Sequence, residues 1–285
     1  MVDHSPDDKI VGSSADQGSA DDPAYTVEQA LHNLQQTEDT SARYYAAWWI
    51  GRFRVNEPVA IDALLMALDD ESDRSGDGGY PLRRNAAKAL GKLGDVRVVP
   101  GLIAALSCSD YYVRESAAQS LEMLEDKRAI PALIKLLDGG VAAAQQVEGK
   151  PHLREPYEAI IEALGTLNAT ESISLIEPFL GHFVPRVNYA AARALYQLTR
   201  NSIYGEKLVT ALQEKELQVR RSALMDLGAI GYLGAVEAIA NTLAENSLKL
   251  ISLKGILEHH LSQETQEEGL NDDLIRVMML MDSLL

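Results

Sequence analysis

Leu82–Leu106 reads LRRNAAKALGKLGDVRVVPGLIAAL, and Val113–Leu137 reads VRESAAQSLEMLEDKRAIPALIKLL. The two superpose with a shift of 31 residues, which sets Leu90 on Leu121 and Pro100 on Pro131. In both, apolar residues recur at helical spacing, a short turn with Gly or Asp follows, and a proline sits in the first turn of a second helix, where its missing N–H is tolerated. Self-similarity at a fixed period marks stacked supersecondary units. One helix pair cannot hide both of its apolar faces, but stacked pairs can. The stretch therefore predicts an all-α chain, a right-handed α-solenoid of helical hairpins.

Working outward, further copies begin at Ala42 (ARYYAAWWIGRF), Pro156 (PYEAIIEALGTL), Val187 (VNYAAARALYQL) and Val219 (VRRSALMDLGAIG). Taking the leucine of A-L-G as a ruler gives Ile50, Leu90, Leu121, Leu164, Leu195 and Leu227, with steps of 40, 31, 43, 31 and 32 residues. The two long steps contain insertions near Glu71–Tyr80 and Gly139–Glu155. Helical spacing already starts at Val27, Ala30, Leu31 and Leu34, and no run alternates as a strand would. Ser247–Leu257 is a weak last copy, and Leu270–Leu285 reads as an amphipathic capping helix with Leu274, Val277, Met278 and Met281 on one face. Residues 1–23 are rich in Asp, Ser, Gly and Pro and are expected to form a disordered acidic tail, leaving 24–285 as one solenoid.

The chain has 285 residues, 26 Lys and Arg against 42 Asp and Glu, and a formal charge of −16. Phosphate affinity comes from Lys and Arg, so a nucleic-acid partner is not expected. One cysteine, Cys108, fits a reducing compartment. No leader-like segment and no long uninterrupted apolar run is present, so the expected location is the cytoplasm, without membrane insertion.

The alanines and leucine of each copy must pack between helices, which turns the intervening positions to another face. Reading those positions copy by copy gives Tyr44, Tyr45 and Trp48; Arg84, Asn85 and Lys88; Tyr111, Tyr112, Glu115 and Gln119; Arg154, Glu155, Glu158 and Glu162; Arg186, Tyr189 and Arg193; and Arg221 and Met225. Aromatics and arginines gather there although the chain as a whole is acidic. Such a face suits a flat conjugated molecule with carboxylate arms, since Arg binds carboxylates in bidentate fashion and aromatic rings stack on planar π-systems. Arg43, Arg83, Arg114 and Arg220 occupy one fixed position of the repeat and read as structural, paired with acids in neighbouring turns. Trp49 falls on the packing side, and Trp48 on the variable side.

Nucleotide-loop, nucleophile-elbow and zinc-protease motifs are absent. Cys108 has no histidine near it in sequence, and the His259–His260 pair stands alone, so neither a thiolate nucleophile nor a metal site is expected.

The roughly 31-residue unit resembles compact HEAT-like repeats. The segments Ala42–Arg54 (ARYYAAWWIGRFR), Asp77–Asp95, Asp110–Glu122, Val147–Leu167, Arg186–Thr199 and Leu217–Leu233, with the final LMDSLL, resemble the E subunits of the E/F-type phycocyanobilin lyases, from about Ala24 to Leu285. The resemblance implies a heterodimer with an F-type subunit. It implies attachment of phycocyanobilin, an open-chain tetrapyrrole, through a thioether to a cysteine of the phycocyanin alpha chain. The bilin is then a substrate, no prosthetic group is expected, and the acceptor's own cysteine is the nucleophile. The bilin contacts expected on this basis are Tyr44, Tyr45, Trp48, Arg84, Asn85, Lys88, Tyr112, Glu115, Arg154, Glu158, Tyr189, Arg193 and Arg221, and the candidates for proton donation are Tyr44, Tyr45, Tyr111, Tyr112 and Glu158. A His-Cys motif for bilin isomerisation belongs to the F-type partner of a related pair and is not found here. The rival readings are a non-catalytic scaffold for phycobiliprotein assembly and a lyase for another bilin such as phycoerythrobilin.

Overall fold

The computed structural model describes residues 25–76, 78–262 and 271–285. The proposed tail at 1–23 lies outside them. The described residues form helices α1 (Val27–Gln35), α2 (Thr40–Arg52), α3 (Pro58–Leu68), α4 (Pro81–Leu93), α5 (Val99–Ala105), α6 (Tyr111–Leu124), α7 (Ile130–Lys135), α8 (Gly140–Ala143), α9 (Tyr157–Thr166), α10 (Ile173–Ile176), α11 (Pro185–Thr199), α12 (Ser202–Ala211), α13 (Leu217–Ile230), α14 (Val236–Asn241), α15 (Asn246–Leu261) and α16 (Asp272–Leu284). Among them the one β-type pairing is an isolated bridge between Gln146 and Leu153, in the second insertion.

One layer runs α2, α4, α6, α9, α11, α13, α15, each packed on the next. The shorter helices α3, α5, α7, α10, α12 and α14 stand behind it, so the expected α-solenoid is the fold. No described helix is long and apolar enough to cross a membrane.

Close approach inside the first layer explains the A-L-G signature. A Cβ on Gly91 would lie 2.8 Å from the Cα of Ser120, and one on Gly165 would lie 2.7 Å from the Cα of Ala194. Gly51 meets Ala89, and Gly228 meets Ser252, in the same way. The serines also donate across the gap: Ser120 Oγ to the Ala87 carbonyl at 2.8 Å, and Ser252 Oγ to that of Leu224 at 2.6 Å.

Three of the six hairpin corners carry the expected Gly or Asp, at Gly94–Asp95, Asp126 and Gly231, and three do not. All six pass through a left-handed residue, and four of the six carry side chains: Arg54 (φ 52), Glu125 (φ 51), Asn168 (φ 56) and Arg200 (φ 56), beside Gly94 and Gly231. A Cβ there costs about 1–2 kcal/mol, which packing of the flanking helices must offset. Asp95 and Asp126 follow two of these corners, each accepting from a backbone N–H two residues on (Arg97, Arg128, both 2.9 Å) and pairing with the same arginine's side chain.

The fixed arginines are structural, as expected, but they chiefly bind carbonyls. Arg83 donates to Asp70 O (2.5 Å) and Asp69 O (3.0 Å), Arg114 to Cys108 O (2.7 Å) and Arg154 O (2.9 Å), and Arg220 to Glu214 O (2.5 Å) and Leu243 O (2.9 Å). These oxygens end helices or turns and would otherwise lack donors. Acids join at Arg43, 2.7 Å from Asp70, at Arg114, 2.8 Å from Glu155, and more loosely at Arg83, 3.4 Å from Glu71.

Helix α16 packs on α14 and α15. Leu274 and Val277 are buried and Met281 is partly so, but Met278 is exposed. The contact stripe is thus narrower than the sequence pattern suggested, because a single neighbouring hairpin covers only a thin strip of the helix. The apolar core falls into two clusters, Ala30 to Leu195 and Ala192 to Val277, and α11 contributes to both.

Candidate functional site

Two positions of each first-layer helix, six and two residues before the ruler leucine, lie one turn apart on the same face. They are Tyr44 and Trp48 on α2, Arg84 and Lys88 on α4, Glu115 and Gln119 on α6, Glu158 and Glu162 on α9, Tyr189 and Arg193 on α11, and Arg221 and Met225 on α13. Two cavities open over the middle of these rows. One, about 320 Å³, is walled by Tyr111, Tyr112, Glu115, His152, Glu158 and Arg186. The other, about 250 Å³, is walled by Glu158, Glu162, Arg186, Tyr189, Gln218 and Asp226, among others. Glu158 and Arg186 belong to both, so the two form one continuous cleft.

The first end is aromatic and basic. Asp110 caps α6 by accepting from Tyr112 N at 2.8 Å, which places Tyr111 and Tyr112 at the mouth. His152, from the second insertion, stacks on Tyr111 with centroids 4.2 Å apart and planes 13° apart, and meets Tyr112 edge-on at 5.9 Å. Its Nδ1 donates to the Leu153 carbonyl at 2.8 Å, since that oxygen can only accept. The Arg84 guanidinium lies 4.9 Å above the Tyr112 ring. Burial raises the Glu115 carboxyl, while Arg84, Lys88, Arg186 and His152 all pull it back down. Burial, with Arg84 beside it, lowers the Lys88 amine. Burial and the nearby Glu115 and Glu158 raise the Tyr111 hydroxyl. None of Arg84, Lys88 and Arg186 closes an ion pair with a described residue. Cationic donors thus remain open to a ligand carboxylate.

The second end is acidic. Arg193 lies 3.0 Å from Glu122, 3.4 Å from Glu162 and 3.6 Å from Asp226. Thr166 Oγ1 also donates to Glu122, at 2.9 Å. Burial, against the pull of Arg193, holds the Glu162 carboxyl up to about 8 and the Asp226 carboxyl up to about 6. Burial raises Glu158 as well. The cleft is therefore bipolar, with cations and rings toward α4 and α6 and protonatable carboxyls toward α13.

Of the residues singled out from sequence, Tyr111, Tyr112, Glu115, Glu158, Glu162, Arg186 and Tyr189 line the cleft, Arg193 anchors its acidic end, and Arg84 and Lys88 border its basic end. The others are placed elsewhere. Tyr44, Tyr45 and Trp48 are exposed on α2 and line neither cavity. Tyr45 joins Tyr25 (5.5 Å) and Trp48 (5.4 Å) in an aromatic patch. The Asn85 amide is spent on the Tyr44 carbonyl, 3.0 Å away, tying α4 to α2. Arg154 borders a further depression that shares Tyr111, Tyr112 and His152 with the first cavity, so it adjoins the basic end of the cleft from outside. Glu155 is held by Arg114, and Arg221 pairs with Glu245. Met225 borders a further depression with Ile251 and His259. Cys108 lies 3.9 Å from Arg83, outside the cleft. The ring of His260 donates from Nε2 to the Gly231 carbonyl at 2.8 Å.

Several cleft residues escaped the sequence reading, among them Asp226, Glu122 and His152. Two of these three left a signal. Asp226 stands directly before its ruler leucine, where four other copies have Ala89, Ser120, Ala163 and Ala194, and Glu122 stands directly after, where others have Gly51, Gly91, Gly165 and Gly228. An acid in a slot otherwise kept for small residues is an anomaly. The third, His152, lies in an insertion with no repeat to compare against.

Family models match as HEAT repeats over residues 74–147 and as a PBS lyase HEAT-like repeat over residues 42–70. The phycocyanobilin lyase subunit alpha of Synechocystis sp. (strain PCC 6803) is 65% identical over 265 residues, covering 92% of this chain and 97% of the relative. The protein of that name from Nostoc sp. (strain PCC 7120) is 64% identical over 263 residues, covering 92% and 95%. A chain of the solved complex of CpcE and CpcF of phycocyanin lyase from Nostoc sp. PCC7120 superposes with a TM-score of 0.86 at 61% identity, covering 96% of this chain and 100% of that one. Identity this high over nearly the full length of both chains shows the family: the chain belongs to the phycocyanobilin lyase alpha subunits, HEAT-like repeat proteins of the bilin lyases.

Proposed function

We propose that this chain, paired with an F-type subunit, attaches phycocyanobilin by a thioether bond to a cysteine of the phycocyanin alpha chain, in the cytoplasm. The observation that carries the reading is the bipolar cleft. A bilin carries two propionates, pyrrole nitrogens and an extended π-face. Arg84, Lys88 and Arg186 suit the propionates, the Tyr111 and Tyr112 rings suit the π-face, and Glu158, where the two cavities meet, suits the pyrrole nitrogens. The one cysteine of this chain lies outside the cleft, consistent with sulfur supplied by the acceptor. The cleft then contributes mainly orientation: it holds one bilin conformation and presents the ethylidene carbon to the thiol.

The test is co-production of this chain, an F-type subunit, the acceptor alpha chain and phycocyanobilin, with bilin that survives denaturation as the readout. Attachment is expected only when both subunits are present. Equal attachment without this chain overturns the reading, and full-rate attachment by this chain alone overturns the two-subunit part of it. A parallel arm with phycoerythrobilin reads bilin preference.

A further inference from the structure

We propose that Glu162 enters the reaction as a carboxylic acid and is the proton donor that activates the bilin as the acceptor's sulfur bonds to it. This rests on the lyase reading above. Its basis is charge geometry. Glu122 from α6, Glu162 from α9 and Asp226 from α13 converge on a single guanidinium, that of Arg193 on α11, at 3.0, 3.4 and 3.6 Å. The Glu162 and Asp226 side chains are only 19% and 12% exposed, so water does little to screen them. One cation balances one carboxylate, and three carboxylates in contact with it, one buried and two half-buried, retain at least one proton.

Glu162 is the member placed to hold and to deliver it. It is the central carboxyl, with Glu122 on one side, Asp226 on the other, and Glu158 one turn along its own helix. Glu122 lies nearest to Arg193 and also accepts from Thr166. Glu162 also forms part of the cleft wall, where a ligand can reach it. Its carboxyl, held up to about 8, agrees with that placement. The other titratable groups on the same wall are Arg186, Tyr189 and Glu216.

The step balances without oxidant or reductant. The acceptor thiol loses its proton to solvent and its sulfur bonds to the exocyclic ethylidene carbon. The ethylidene π pair moves into the conjugated system, and Glu162 gives its proton to a pyrrole nitrogen. That proton then moves through solvent to the ring carbon that had been double-bonded to the ethylidene carbon, and Glu162 regains from water the proton the thiol released, so the net change is S–H added across that C=C bond. Sequence reading had favoured tyrosines and Glu158 for this role.

The experiment measures initial attachment rates between pH 6 and 9.5 with the heterodimer, alongside bilin absorbance titrations. In the wild type, attachment should fall above about pH 8 as Glu162 ionises. Glu162→Gln should still bind bilin, attach it at least about tenfold more slowly at pH 7, and lose the alkaline fall. Glu162→Asp should restore part of the rate. Asp226→Asn removes a negative neighbour and should move the alkaline fall to lower pH, a readout that does not require the Gln variant to fold. Attachment by Glu162→Gln within about twofold of wild type, an alkaline fall that persists in it, or loss of bilin binding in place of rate would each overturn the proposal. A wild-type heterodimer that binds bilin and attaches none refutes the lyase reading itself, and the proposal with it.

Discussion

Gly165→Ala separates the packing argument from plain helix propensity, because the two have opposite signs. Alanine gains about 1 kcal/mol over glycine inside a helix. At Gly165, however, the new Cβ would stand 2.7 Å from the Cα and 2.8 Å from the Cβ of Ala194, and 2.5 Å from Gln197 Oε1. Carbon atoms rest about 3.5–4.0 Å apart, so α9 and α11 must part by about 1 Å. Overpacking of that kind costs about 1–3 kcal/mol. We therefore expect the variant to be less stable by about 1 kcal/mol net, read in urea unfolding as a lower midpoint at unchanged slope. The parting also stretches the 3.4 Å Glu162–Arg193 contact beyond salt-bridge range, so bilin attachment should fall more than stability does. Gly181→Ala, where no atom lies within 4 Å of the new Cβ, is the control and should change stability by less than about 0.5 kcal/mol. A Gly165→Ala protein as stable as wild type, or more so, refutes the close approach of α9 to α11.

Other expectations are as follows. Burial would raise the Asp70 carboxyl, but hydrogen bonds from Arg43, Ser72 and two backbone N–H groups outweigh it and hold the carboxyl at about 2. Its stabilisation is present above the ordinary carboxylate range and is lost as pH falls toward 2. Asp70→Asn should thus cost roughly 1–2 kcal/mol at pH 7, after allowance for solvent screening, and the cost should vanish in acid titrations near pH 2. Trp49 is half-buried between Tyr25 (5.2 Å) and Phe53 (4.9 Å), so Trp49→Ala should lower thermal stability by about 2–3 kcal/mol; Trp48 is 44% exposed, and Trp48→Ala should cost less than about 1 kcal/mol. Greater destabilisation by the Trp48 change would mean that α2 is rotated from the orientation described. Arg186→Gln, at the junction of both cavities, should weaken bilin binding by about 1.5–3 kcal/mol in absorbance titrations without altering the fold. Unchanged affinity would remove Arg186 from the site.

The solenoid was legible because its cause is periodic: alanines at 46–47, 86–87, 117–118 and 190–191 are buried at the same place in successive hairpins. The repeat also located the cleft rows, since face follows from spacing. It could not say which stretch of the rows is concave enough to enclose a ligand, so Tyr44, Tyr45 and Trp48 counted equally with Glu115 and Glu158. Depth is set by what stands opposite, and there the second insertion supplies His152 and Leu153. Partner choice was equally hidden. Nothing in the letters tells that Arg193 gathers three acids whereas Arg221 pairs with Glu245 at the periphery. The corners at Arg54, Glu125 and Arg200 escaped notice because their left-handed backbone is imposed by the helices they join, not by their own preference.

The parting of the core at α11 has a mechanical consequence. A stack whose apolar filling is continuous on either side of one helix, and thinner across it, bends there with the least resistance. Two stiffer arms, α1 to α11 and α11 to α16, are the expected result. The cleft crosses the joint: Arg84, Lys88 and Glu115 ride on one arm and Asp226 on the other, with Arg186 and Arg193 at the elbow. Its length thus measures the angle between the arms. A long, stiff occupant touching both ends acts as a strut that selects one curvature, and a short one cannot. The charge on the elbow's acids, which sets how firmly Arg193 holds the far arm, becomes a control on shape as well as on chemistry.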